Sequence, residues 1–220
     1  MRLVLDVENT VTKRDDKVHL DPFEPTNHLV QVGMLDADDP KPTLTIKTLD
    51  HNEATDFTGF QRLEVQWNLD NTDLLIMHNA QHDLMWLWQC GFKYDGDIYD
   101  TMLAEYILDR GQRNPLSLQA CAERRQLEVQ KDDTLKKYFK EGKNTNEIPL
   151  AELCHYLEHD LLTTCELFHA QEKDFALPES TSLSTIKRVT FQTCKTLTEI
   201  YSAGFKVDLQ ELERVAKEFE

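Results

Sequence analysis

The pattern of apolar and polar positions alternates first and then turns helical. Residues 2 to 8 alternate and are rich in β-forming side chains, which predicts a strand. Residues 28 to 35 and 43 to 47 predict two more, joined by the Asp-Pro-Lys-Pro turn around Pro40. A helix is expected within residues 53 to 67. Leu74, Leu75, Ile76 and Met77 form a buried strand running into a helix from Ala80 to about Cys90. Ile98 to Asp100 reads as a last short strand, and Thr101 to about Lys173 as mainly helical. Strands first, with helices interleaved, give an α/β fold with a mixed sheet.

A boundary is expected at Leu177-Pro178-Glu179-Ser180-Thr181-Ser182. Ile186, Val189, Cys194, Leu197 and Ile200 then suggest a further helical segment, which Gly204 ends as a C-cap. Asp208 starts another, with Leu209, Leu212, Val215, Ala216 and Phe219 as its apolar positions. That last helix carries no stop signal, so a piece of a longer protein is expected.

Composition narrows the class. A length of 220 residues suits one domain with an appendage, and 40% apolar with 29% charged residues is ordinary for a globular protein. Leu3 to Val7 is too short for a signal peptide and is interrupted by Asp6, and no apolar run approaches membrane-spanning length. Five cysteines without a Cys-x-x-Cys pair read as reduced thiols, so a cytoplasmic protein is expected, not a secreted one. The formal charge of −16 argues against a protein that coats nucleic acid. The charge is uneven, however: residues 110 to 143 hold nine basic and five acidic residues, +4 net, which leaves −20 for the rest. That stretch reads either as a solvated helical face or as a landing strip for a DNA backbone.

Three short stretches carry the candidate chemistry. Asp6 and Glu8, two apart on a strand, point to one face about 7 Å apart at Cα, so both carboxylates can reach one cation. Asn79 follows a buried strand and is placed to cap the next helix, with Asp83 in that helix's first turn. The third stretch lies on a helix that Pro149 can open. At 100° per residue, Leu150, Leu153, Leu157, Leu161, Thr164 and Phe168 cluster within about 80° as its buried face. Tyr156 and Asp160 sit together about 85° from the centre of that face, at the border of core and surface.

The same helix offers two rivals. His155-Tyr156-Leu157-Glu158-His159 matches the His-x-x-Glu-His pattern of inverted zinc peptidases. Both histidines, however, fall opposite the leucine face, where zinc finds no dry cavity. His155 with Asp160 is a second pairing that the helix offers, but the helix is already under way at His155, and Tyr156 is the better partner for Asp160.

Read in order, Asp6-x-Glu8, Asn79-x3-Asp83 and Tyr156-x3-Asp160 resemble the three exonuclease motifs of the DEDD superfamily, in its tyrosine subclass. Over residues 1 to about 175 the chain is similar to the proofreading exonuclease domain of family A DNA polymerases, especially the short phage type. Asp100-Thr101-Met102-Leu103-Ala104 and Leu116-Ser117-Leu118-Gln119-Ala120 match its intervening helices, and Gly204-Phe205-Lys206-Val207-Asp208 its entry into the polymerase portion. RNase D-type exoribonucleases share the motifs but lack this tail. The chain departs from the family at His82, where an aromatic is common, and in having only Val11 as a hydrophobic wedge after the first motif.

The resemblance implies an RNase H-like mixed sheet flanked by helices, with a C-terminal helical extension. Residues 1–176 would form a 3′-5′ exonuclease domain, and residues 177–220 a linker and the first helices of a polymerase domain, in cis or as a separate chain. It further implies a monomer that binds a single-stranded DNA 3′ end, in host cytoplasm if viral, and releases deoxynucleoside monophosphates. Two divalent cations, Mg²⁺ or Mn²⁺, are implied. Asp6, Glu8 and Asp160 would hold the one that activates water, Asp6 and Asp83 the one at the leaving oxygen. Tyr156 and Glu8 would orient the nucleophile, and Asn79 would contact substrate. The remaining alternatives are a stand-alone exonuclease on RNA or DNA, a catalytically dead scaffold and a zinc peptidase.

Overall fold

The computed structural model describes residues 1–14, 17–39, 41, 43–54, 58–127 and 134–219. Its strands are β1 (Arg2–Asn9), β2 (Thr12–Arg14), β3 (Lys17–His19), β4 (Leu29–Asp36), β5 (Leu44–Thr48), β6 (Leu74–Met77) and β7 (Asp97–Asp100). Its helices are α1 (Thr58–Asp70), α2 (Ala80–Gln89), α3 (Thr101–Leu108), α4 (Leu118–Arg124), α5 (Thr134–Lys140), α6 (Leu150–Phe175), α7 (Thr181–Ala203) and α8 (Leu209–Phe219).

Five strands form one mixed sheet in the order β5-β4-β1-β6-β7. β1 lies at its centre, antiparallel to β4 and parallel to β6. Burial on both faces explains the aliphatic runs: Val4, Leu5, Leu75, Ile76 and Met77 have no exposed surface. Each such side chain contributes about 1.5–3 kcal/mol. The long helix α6 lies across β1, β4 and β6, and buries Leu153, Leu157, Leu161 and Phe168. This is the mixed sheet flanked by helices that the sequence led us to expect.

Three readings change in detail. β2 and β3 form a separate hairpin that the alternation did not foretell. The helical stretch after Thr101 resolves into α3 to α6, with extended chain before Ser117. The turn residues Pro40 and Pro42 lie outside the described residues, as do residues 55–57 at the start of the expected helix.

The basic stretch, which left open a solvated face or a landing strip, is divided by its own ion pairs. Arg124 and Arg125 turn inward to Glu105, which is 1% exposed, at 3.0 and 2.7 Å, and Arg125 also reaches Asp174 at 2.6 Å. A buried carboxylate needs such partners, so these two arginines are structural. α5 instead keeps Lys136 and Lys140 exposed.

Gly204 ends α7 at φ 62, and Asp208 accepts hydrogen bonds from the Gln210 and Glu211 N–H groups at 3.1 Å to start α8. The two tail helices differ sharply. α7 packs on α2, α3 and β7 and buries Phe191, whose ring lies 4.9 Å from that of Tyr99. α8 buries nothing. The boundary expected at 176/177 thus falls between α6 and α7, and core contacts cross it.

Candidate active site

Asp6 and Glu8 project from the central strand toward α6. In the antiparallel register Asp6 faces Gly33 and Glu8 faces Gln31. A Cβ at Gly33 would stand 2.6 Å from Leu161 Cδ1 and 2.9 Å from Leu157 Cγ. The bare glycine therefore lets α6 settle onto the sheet, and the border residues Tyr156 and Asp160 come down beside β1. One carboxylate oxygen each from Asp6, Glu8 and Asp160 lie within 4.8 Å of one another, all three residues partly open to solvent.

Asp83 arrives from α2, the helix that follows the other neighbouring strand, β6. β1 pairs with β6 only as far as Val4, so the Val7 N–H lies beyond the ladder. Asp83 Oδ1 accepts from it at 3.1 Å. The side chain is 1% exposed.

Asn79 occupies the N-cap position of α2 in a left-handed conformation, φ 67 and ψ 56, and its exposed side chain makes no cap bond. Asp100, at the end of β7, does that work. Its carboxylate accepts from the N–H groups of Asn79 at 3.3 Å and Ala80 at 2.9 Å, and from those of Met102 at 2.9 Å and Leu103 at 3.1 Å. One buried acid therefore caps α2 and α3 together. The cap expected from Asn79 comes instead from a residue 21 positions away, which leaves the Asn79 side chain free.

The electrostatics follow from burial of like charges. Asp6 is pushed up to about 7 by desolvation and then by the charge of Asp160. Glu8 and Asp83 are raised well above the carboxylate range by desolvation, with Asp6 next among the causes. The Tyr156 phenol is raised by desolvation and by Asp160, to which its hydroxyl donates, so it stays a protonated donor. An oxygen-only cluster under mutual repulsion fits hard divalent cations.

The rival readings of α6 find no cluster. His155 and Glu158 are exposed. His159 Nδ1 stands 3.8 Å from Asp160 Oδ1, and among the described residues neither histidine belongs to a group that could hold an ion.

A family model described as 3′-5′ exonuclease matches residues 45–175, more than half of the chain. The chain belongs to the 3′-5′ exonuclease family. It is a DEDD-type nuclease, a hydrolase of phosphodiester bonds. The match spans Asp83, Tyr156 and Asp160, while Asp6 and Glu8 lie before it.

No curated protein sequence matches the chain. Among solved structures, Brucella melitensis NrnC superimposes with a TM-score of 0.63 at 16% identity, covering 94% of this chain and 88% of that one. NrnC bound to pGG gives 0.64 at 17% over the same shares. The structure described as the POL domain of Pol1 from M. smegmatis, in complex with DNA primer-template and dNTP, gives 0.59 at 21% identity. It covers 99% of this chain and 31% of that one. At such identities the likeness is one of fold, and that fold is RNase H-like.

Sequence reasoning missed two residues of this exonuclease that shape the site. Gly33 carries no chemistry, and its signal was only a glycine inside an apolar strand. Asp100 was noted within a helix-starting motif, but its hold on α2 depends on the pairing of β6 with β7.

Proposed function

We propose that this domain removes nucleotides from DNA 3′ ends by metal-dependent hydrolysis, as the proofreading part of a family A polymerase. The observation that carries the reading is the convergence of Asp6, Glu8 and Asp160 within 4.8 Å, with Asp83 bonded to Val7 between the first two. Asp6, Glu8, Asp83 and Asp160 would hold Mg²⁺ or Mn²⁺. Bound there, such cations supply a water of lowered pKa and stabilise charge on the leaving oxygen.

The chain's own groups do the rest. Tyr156, packed against the cluster of Val30, Leu135, Tyr138, Ile148 and Leu153 with its hydroxyl on Asp160, is fixed to orient the nucleophile. Glu8 is poised as an acceptor because burial raises its proton affinity. Asn79, exposed and without a cap bond, is available to a substrate sugar or base.

The mutual coverage with NrnC, 94% and 88%, supports a second reading, a stand-alone exonuclease for short oligonucleotides such as the pGG in that structure. Digestion of 3′-labelled single-stranded DNA and of dinucleotides, with Mg²⁺ and with EDTA, separates the two. Proofreading expects long strands to be degraded at least as well as dinucleotides. Activity that persists in Asp6→Ala/Glu8→Ala with folding intact defeats both.

The division into an exonuclease domain, 1–176, and polymerase-leading segments, 177–220, forms part of this proposal. The exposed apolar side chains of α8, Leu209, Leu212 and Phe219, support it.

A further inference from the structure

Glu8, Gln31 and Thr48 form a row across β1, β4 and β5. Glu8 is the antiparallel partner of Gln31, and Gln31 that of Thr48. Residues directly opposite each other point to the same face of a sheet, with Cβ atoms about 4.5–5.5 Å apart. The face of this row is the one that α6 covers. Gln31 Nε2 donates to Cys154 Sγ on α6 at 3.2 Å and to Thr48 Oγ1 at 3.1 Å. Cys154 stands two residues before Tyr156. Gln31 thus joins the strand next to Glu8 to the helical turn that leads into the third motif, and it has no exposed surface.

Hydrogen bonding in the row is incomplete at two neighbouring points. Gln31 Oε1 is buried with no partner among the described residues, an arrangement that buried polar atoms rarely keep. The Glu8 carboxylate likewise accepts no hydrogen bond among the described residues. Asp83, by contrast, accepts from the Val7 N–H and Asp160 from the Tyr156 hydroxyl. Both partners of the Gln31 amide lie at its nitrogen end, which leaves Glu8 as the neighbour in the row for the other end. An amide oxygen cannot bond a carboxylate, but an amide nitrogen donates to one. A half-turn about the last side-chain bond exchanges the two atoms within the same space. The Thr48 hydroxyl and the Cys154 thiol can each donate as well as accept. After the half-turn both donate to Oε1, Nε2 is free for Glu8, and every polar group of the row is satisfied.

We propose that Gln31 is a positioning residue for Glu8: its amide nitrogen donates to one carboxylate oxygen and leaves the other for a cation. Thr48 and Cys154 keep the amide turned that way. A neutral donor fixes the carboxylate without cancelling its charge, which is what outer partners contribute to metal ligands. The inference rests on the proposed role of Asp6, Glu8 and Asp160 as cation ligands, and its test reads cation binding apart from cleavage.

Gln31→Met, which keeps length and burial without polar atoms, is compared with Thr48→Val, Thr48→Ser and the unmodified chain. Calorimetric titration with Mn²⁺ reads cation binding, and digestion of a labelled single strand reads the chemistry. Gln31→Met is expected to bind Mn²⁺ about 10-fold more weakly or worse, with KM for the strand within about twofold and kcat partly restored at high Mn²⁺. Thr48→Val should shift cation affinity in the same direction, and Thr48→Ser, which keeps the hydroxyl, should restore it. A merely structural role would lower the thermal midpoint and leave cation affinity alone. The amide is also read directly by NMR in the Mg²⁺-loaded chain, where one Gln31 side-chain N–H proton should lie downfield and return in Glu8→Ala. That resonance decides the matter if Gln31→Met does not fold. Mn²⁺ affinity of Gln31→Met within about twofold of the unmodified chain, a side-chain resonance indifferent to Glu8→Ala, or no cation bound by the unmodified chain overturns the proposal. Weakened cation binding in Gln31→Met, in a chain that cleaves no strand, would keep the positioning role and defeat the exonuclease reading instead.

Discussion

Asp83 is tied to β1 through the backbone of Val7, the residue that separates Asp6 from Glu8, by a 3.1 Å hydrogen bond. The second motif is therefore clamped to the first independently of any cation. Asp83→Asn keeps an acceptor for the Val7 N–H but removes a buried charge. We expect at least a 100-fold loss of rate, on the order of several kcal/mol of transition-state stabilisation. In metal-free buffer the thermal midpoint should rise, since a repulsive neighbour of Asp6 is gone. A variant that keeps full activity would remove Asp83 from the site.

The raised carboxylates give a pH dependence of defined sign. Asp6 stands at about 7 in the folded chain against 3.8 as its ordinary value. Its folded form holds a proton that the unfolded form releases, so this contribution to stability is intact below about pH 4 and is lost as pH rises to 7. Each pH unit of that window is worth about 1.4 kcal/mol. In EDTA the thermal midpoint, relative to that of Asp6→Asn, should fall between pH 5 and 7.5. Adding Mg²⁺ should raise it more at pH 7.5 than at pH 5. A flat difference between the two proteins contradicts this.

Gly33 sets the depth of α6. In Gly33→Ala the new methyl meets Leu161 and Leu157 well inside normal contact, and overpacking of this kind costs about 1–3 kcal/mol. Relief of that contact by lifting the helix would carry Tyr156 and Asp160 with it. We expect activity to fall more than the loss of stability accounts for, with partial recovery of both in Gly33→Ala/Leu161→Ala. Full activity in the single variant would show that α6 need not touch the sheet there.

How far the sequence reveals the site depends on the range of the contact. Asp6 with Glu8, and Tyr156 with Asp160, are legible because strand and helix periodicities alone put each pair on one face. The central strands are legible for a different local reason, the short aliphatic runs that burial on both faces requires. Asp100 is not, because its partners at Asn79 and Ala80 become neighbours only when β6 and β7 pair. Arg124 and Arg125 looked like surface charge because their shared partner, Glu105, is an acid in a neighbouring helix with nothing local to mark it as buried. The β2–β3 hairpin is too polar for alternation to register, and its anchor on the Val11 backbone comes from Asn144.

Tyr156 and His155 are adjacent in sequence and opposite in environment. The tyrosine hydroxyl donates to Asp160, whereas His155 is exposed. Tyr156→Phe removes one oriented hydrogen bond while keeping the ring in its apolar setting. The rate should fall about 10- to 100-fold, with DNA affinity within about twofold. His155→Ala should be nearly silent. The reverse ranking, measured by single-turnover kinetics, would transfer the role to the histidine.

The two tail helices should part company on truncation. Ending the chain after Gly204 removes α8, which buries no residue, so stability and nuclease activity should stay close to those of the full chain. Ending it after Ala176 also removes α7, and with it Phe191, whose ring packs on Tyr99. Stripping a buried aromatic from a core costs about 3–5 kcal/mol, and the faces of α2 and α3 would be bared as well. That shorter chain should melt well below the first, and it should lose activity because α2 carries Asp83. Amide exchange in the intact protein should show the same order, fast in α8 and slow through the Phe191 turn of α7. Equal stability of the two truncated chains would mean that α7 rests on the exonuclease without supporting it, and would place the functional boundary at Ala176 itself.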